Sequence, residues 1–96
     1  MNRKDAMRKI AAAKPELQRR FGVMRLALFG STARDEARAD SDIDVLVAFD
    51  GPASAARYFG VQFYLEDVLG SPVDLVTEKA LRPALKTIIE AEVVDV

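Results

Sequence analysis

Asp42 and Asp44 stand two residues apart at the head of an apolar run, DIDVLVAF, residues 42–49. A strand alternates its side chains between faces, so both carboxylates project the same way, separated by roughly 6.6 Å of strand rise. Two unit charges at about that distance repel by about 2.5 kcal/mol at an effective dielectric near 20, and folding gains nothing from this. Asp74 interrupts a second short apolar run, SPVDLVT, in the same manner, and a neighbouring strand would bring it to the same face. Oxygen-only ligands suit hard cations. Mg²⁺ in particular takes one or two carboxylates, several waters and the oxygens of a bound polyphosphate. Two such ions stabilise both the attacking and the leaving oxygen of an in-line phosphoryl displacement. In the alternative reading Asp42 solvates the strand's start, Asp44 sits at its rim and Asp74 is an unrelated surface residue. A bare D-x-D does not decide between them.

Upstream, Gly30 and Ser31 follow an apolar run and precede a helical stretch. Free backbone N–H groups and the helix dipole make such a turn an anion site, glycine lets a phosphate approach the backbone, and the Ser31 hydroxyl adds a donor. A plain strand-to-helix turn with a serine cap would read the same way.

Composition narrows the chemistry. The chain has no cysteine and no histidine, which excludes disulfides, thiolate zinc sites and every Ser-His or Cys-His arrangement. Any reaction runs on carboxylates, hydroxyls and cations. A net charge of −1 supplies no broad basic field, so stable binding to duplex nucleic acid is not expected. No apolar run approaches the roughly 20 residues that cross a bilayer. The basic start, MNRKDAMRKIAAAKPELQRR, carries Asp5 and Glu16 and does not read as a secretory signal. A cytoplasmic protein with no membrane association is expected, folded as a single domain over residues 1–96.

Elements must hold these residues in place. Met7, Ile10, Ala11, Leu17 and Phe21 recur at helical spacing over residues 2–21, with Pro15 expected to divide or kink that helix. VMRLALF, residues 23–29, reads as a first strand with one less buried face at Arg25. Ser31 and Thr32 are expected to cap a short helix through Ala33–Ala37. The second strand places Ile43, Val45, Val47 and Phe49 on its core face and Asp44, Leu46 and Ala48 on the other. Ser54 starts a helix with its stripe at Tyr58, Val61, Leu65, Val68 and Leu69, and Gly70 stops it. A third strand at SPVDLVT, a last helix over Ala80–Ala91 kinked or begun at Pro83, and an edge strand in EVVDV complete the chain.

LFGSTARDEARADSDIDVLV, residues 28–47, resembles the signature of the minimal nucleotidyltransferases of the DNA polymerase β superfamily: a G-S turn, an alanine-arginine pair, a spacer, then S-D-x-D in a strand. YLEDVLGSPVDLVT is similar to that family's next helix and the strand with its third aspartate, and IIEAEVVDV to its closing segment. The resemblance implies an α/β nucleotidyltransferase palm, a small mixed sheet with helices packed on one face. It makes Asp42, Asp44 and Asp74 the catalytic and metal-binding acids for Mg²⁺, two ions in all, with Asp74 helping to deprotonate the incoming hydroxyl. Gly30 and Ser31 become the triphosphate-binding turn, and Arg34 either steadies the phosphates or ties the short helix to the strand.

Two positions depart from the family pattern. Asp35 stands where relatives usually carry glycine; read as an acid in the first turn of the helix it would favour the dipole and could cap it, and it would repel the phosphates if it faced them. Asp95 stands where they often carry an aromatic residue. Members of the group are commonly paired with a helical HEPN toxin. The resemblance therefore implies an antitoxin that transfers a nucleoside monophosphate, AMP from ATP, to a hydroxyl of that partner, within a homo- or hetero-oligomer. The rivals are an antitoxin that neutralises its partner by binding alone, and transfer to a small molecule, which suffers from the missing acceptor domain.

Overall fold

The computed structural model describes residues 1–96. They form α1 (Arg3–Phe21), β1 (Val23–Phe29), α2 (Gly30–Ala33), β2 (Ile43–Phe49), α3 (Ala55–Leu69), β3 (Val73–Thr77), a 3-10 turn (Glu78–Ala80), α4 (Pro83–Glu90) and β4 (Val94–Asp95). The strands make one mixed sheet in the order β3-β2-β1-β4. β1 runs antiparallel to both β2 and β4, while β2 and β3 are parallel and joined through α3, as a parallel pair requires a crossover.

Asn2 opens α1, its side chain accepting from Asp5 N at 2.8 Å, and Gly22 closes it in the left-handed conformation. The buried stripe is Ala6, Ile10, Ala13 and Leu17. Pro15 lies inside this helix, which runs through it unbroken, so the expected division does not occur. Pro15 and Ala11, whose carbonyl loses its donor, are both exposed, and water can satisfy the freed group.

α1 and α3 cover one face of the sheet. Their stripes meet Leu26 and Leu28 of β1, Val45 and Val47 of β2, and Leu75 of β3, the faces that alternation assigned. On the opposite face Ile89 of α4 caps Ala27, Phe29 and Leu46. α4 begins at Pro83, with Arg82 before it in extended backbone. Beyond this small cap the face carries Asp44 at one end and Arg25, opposite Ala48, at the other.

Two devices hold the acid-bearing face in shape. Along α3, Tyr58 Oη donates to Leu75 O at 2.6 Å, Gln62 Nε2 donates to Val73 O at 3.2 Å, and Glu66 accepts from Val73 N at 2.9 Å. These groups at i, i+4 and i+8 satisfy the outer edge of β3, which no strand pairs, and fix the strand that carries Asp74. Arg25 forms ion pairs with Glu78, Glu90 and Asp95 at 3.0, 2.9 and 2.8 Å. One guanidinium thus ties the 3-10 turn, α4 and β4 to β1. Its three partners hold its pKa above the usual arginine range, Glu90 foremost, and it in turn pulls those of Glu90 and Asp95 down. Asp95 is therefore a partner of Arg25, with a place in the fold of its own.

Candidate active site

β2 and β3 pair in a register that sets Asp44 beside Asp74. Adjacent strands lie about 4.8 Å apart, so the two side chains are neighbours on one face. Asp42 precedes β2 by one residue and adds its charge from the same side. Asp44 is half-buried, whereas Asp42 and Asp74 are exposed. Burial pushes the Asp44 carboxyl up to about 6, helped by the charge of Asp74, a hydrogen bond with it, and the charges of Asp42 and Glu92. A half-buried acid that resists ionisation in a ring of other acids is a place where a cation would be welcome.

The three aspartates do not make a closed cage, since no group of three acidic side chains is close enough to hold an ion unaided. A Mg²⁺ ion here would have to take the rest of its ligands from water and substrate oxygens. The donor set, all oxygen and anionic, fits such an ion.

Gly30 directly adjoins the acids. Its φ is +72°, and a Cβ added there would overlap the Asp44 carboxylate, Oδ2 being the nearest atom. Glycine is required twice over, for the left-handed backbone and for the close approach of Asp44. Ser31 is half-buried, one residue into α2. Ser31 and Thr32 do not cap the helix. The N-cap position is Phe29, without a side-chain bond, and Thr32 Oγ1 is buried with no hydrogen-bond partner.

α2 is a single turn, and the expected continuation to Ala37 does not form. Glu36 N bonds Ser31 O at 2.8 Å and Asp35 N bonds Thr32 O at 3.1 Å, around an Asp35 with φ +61°. This is a Schellman stop with aspartate at the left-handed position, which explains why the resembled pattern carries glycine there. The Asp35 carboxylate accepts from Arg3 N at 2.9 Å, at the start of α1. It caps that helix, at the far end of α2 from Gly30.

Arg34 is engaged by two carboxylates, Glu36 at 3.3 Å and Glu92 at 3.0 Å, which raise its pKa. Glu92 also accepts from Gly30 N at 3.1 Å. Sequence reasoning did not single out Glu92. A partly open pocket of about 100 Å³, lined by Val47, Ala48, Phe49, Gly51, Thr77 and Lys79 among others, contains none of these residues.

A mixed sheet whose parallel pair carries adjoining acids, next to a Gly-Ser turn, is the palm of a nucleotidyl-transferring enzyme. Residues 10–96 match the nucleotidyltransferase domain model, and the chain belongs to that family. The protein adenylyltransferase MntA of Thermococcus cleftensis is 41% identical over 85 residues, covering 88% of this chain and 86% of that one. A solved structure provisionally named a minimal nucleotidyltransferase superposes with a TM-score of 0.84 at 36% identity, covering 100% of this chain and 97% of the other. A chain of the Shewanella oneidensis complex between a tri-AMPylated HEPN toxin and its MNT antitoxin shares the fold, with a TM-score of 0.70 at 19% identity over 97% of this chain and 70% of that one. No helix here is long and apolar enough to cross a membrane.

Proposed function

We propose that this chain, acting as one minimal nucleotidyltransferase domain in the cytoplasm, transfers AMP from ATP to a hydroxyl of a HEPN-type partner protein and so serves as its antitoxin. The observation that carries the reading is the β2–β3 register, which pairs Asp44 with Asp74 against a glycine that has no room for a side chain. Similarity to a protein adenylyltransferase supports the acceptor class, and likeness in fold to a toxin–antitoxin complex supports the partner. Exposed Phe59, Phe63, Leu85 and Ile88 leave apolar surface for such a partner.

In this reading the Gly30 and Ser31 amides and the Arg34 guanidinium hold the triphosphate. Asp42, Asp44 and Asp74 would hold Mg²⁺, which when bound supplies neutralisation of the charge developing on the attacking and leaving oxygens. The acceptor oxygen attacks the α-phosphorus and forms a P–O bond. The bond to the α–β bridging oxygen breaks, pyrophosphate leaves with that electron pair, and the hydroxyl proton passes to the Asp74 carboxylate. Asp44, held half-buried against Gly30, would be the most closely positioned of the three carboxylates.

Calorimetric titration of the chain with ATP tests this. Binding is expected with Mg²⁺ present and lost with chelator, and Asp35→Gly is expected to leave the affinity within about twofold because its carboxylate serves α1. Binding indifferent to chelator would place the nucleotide elsewhere. A marked tightening by Asp35→Gly would mean that Asp35 does face the phosphates.

A further inference from the structure

Glu92 reaches the Gly-Ser turn from the other end of the chain. Its Oε1 accepts from Gly30 N at 3.1 Å while its Oε2 accepts from Arg34 Nη1 at 3.0 Å. One carboxylate thus occupies, simultaneously, the first amide of the turn and the arginine that follows it. Two carboxylate oxygens presented to a backbone N–H and a guanidinium are a close chemical match for two oxygens of a phosphate.

The backbone around Glu92 is pinned on both sides. Glu92 N and Val93 N both bond Ile89 O at 3.0 Å, and Arg25 grips Glu90 and Asp95. The side chain, attached to a fixed base, spans to the turn.

We propose that Glu92 is an internal competitor for the triphosphate: its carboxylate occupies the Gly30 amide and Arg34 until the nucleotide displaces it, and returns as pyrophosphate leaves. This rests on the reading that the turn holds the triphosphate. Two consequences distinguish the contact from a merely structural ion pair. Nucleotide affinity is lower than the turn alone would give. Arg34 Nη1 becomes free to meet the phosphates only when Glu92 has let go, while Nε keeps its bond to Glu36.

Calorimetry on the full chain with Mg²⁺-ATP, and with Mg²⁺-tripolyphosphate as the base-free probe, tests the proposal. Glu92→Gln removes the charge and keeps the length. It is expected to tighten both ligands about tenfold, the scale of one lost charge-assisted hydrogen bond, and more at low salt. Adding Arg34→Gln to that variant is expected to reverse the gain. Glu92→Asp, whose shorter arm cannot reach, is expected to act in the same direction and serves if glutamine disturbs folding. Unchanged or weaker binding in both variants, with wild type binding normally, would overturn the role of Glu92 alone. Absence of binding in wild type and variants alike would overturn the triphosphate reading of the turn, and this inference with it.

Discussion

Replacing Asp44 with asparagine is expected to make the protein more stable at neutral pH in metal-free buffer and, at the same time, unable to transfer a nucleotide. The Asp44 carboxyl titrates at about 6 in the fold against 3.8 as its ordinary value. Between those values the native state holds a proton that the unfolded chain has lost. Stability therefore falls as pH rises from about 4 through 6, and stays at the lower level above it. Asparagine cannot ionise and escapes this loss. Allowing for the solvent that reaches a half-buried group, the gain at pH 7.5 is about 1 kcal/mol, and it shrinks toward zero near pH 4. Urea melts at the two pH values measure it. Mg²⁺ is expected to stabilise wild type more than Asp44→Asn, because the variant lacks one of the three carboxylates proposed to hold the ion. Transfer, measured as label moved from α-labelled ATP to the partner, is expected to drop by about 10³-fold or more for want of charge stabilisation at the phosphorus. A variant destabilised at pH 7.5 would make Asp44 a structural residue.

Gly30→Ala carries the second large effect, of opposite sign on stability. The residue sits at φ +72°, and the new methyl would overlap the Asp44 carboxylate. The left-handed backbone alone costs an L-residue about 1 kcal/mol, and the displaced carboxylate adds to that, for a loss of about 2–3 kcal/mol. Displacing Asp44 by even 1 Å is expected to reduce transfer by about 10²-fold or more. The double variant Gly30→Ala/Asp44→Ala separates clash from strain: it is expected to regain part of the lost stability and none of the activity. Equal instability in the single and double variants would show that the contact with Asp44 is not what demands glycine.

The strands were legible because alternation is a local signal. Ile43, Val45, Val47 and Phe49 do face α1 and α3, and Asp44 does lie on the other side with Leu46 and Ala48. The pairing of Asp44 with Asp74 followed from reading two acids that interrupt apolar runs in the same way. The stop of α2 was not legible, since aspartate in a left-handed C-cap carries no glycine to announce it, and its cost is offset by the bond to Arg3 N that only tertiary structure supplies. Pro15 read as a point of division or kinking because propensity does not say which side of the helix faces water. Glu92 was out of reach for a different reason. Its contacts with Gly30 and Arg34 span 62 and 58 residues, and nothing near it in the chain distinguishes it from a solvated glutamate. The same holds for Gln62 and Glu66, and for the hydroxyl of Tyr58, whose ring the apolar stripe did include: all three brace the edge of β3.

The central claim is that Asp42, Asp44 and Asp74 serve nucleotidyl transfer to a protein, and the intact mass of the partner tests it most directly. The chain is incubated with the proposed HEPN-type partner, ATP and Mg²⁺, and the partner is weighed by mass spectrometry. The account predicts that the partner gains whole AMP units with wild type. It predicts no gain with Asp42→Asn, Asp44→Asn or Asp74→Asn, each of which still forms the complex, and none with wild type in chelator. A partner whose mass never changes, neutralised equally well by the triple aspartate variant, would contradict it and leave a protein that acts by binding alone.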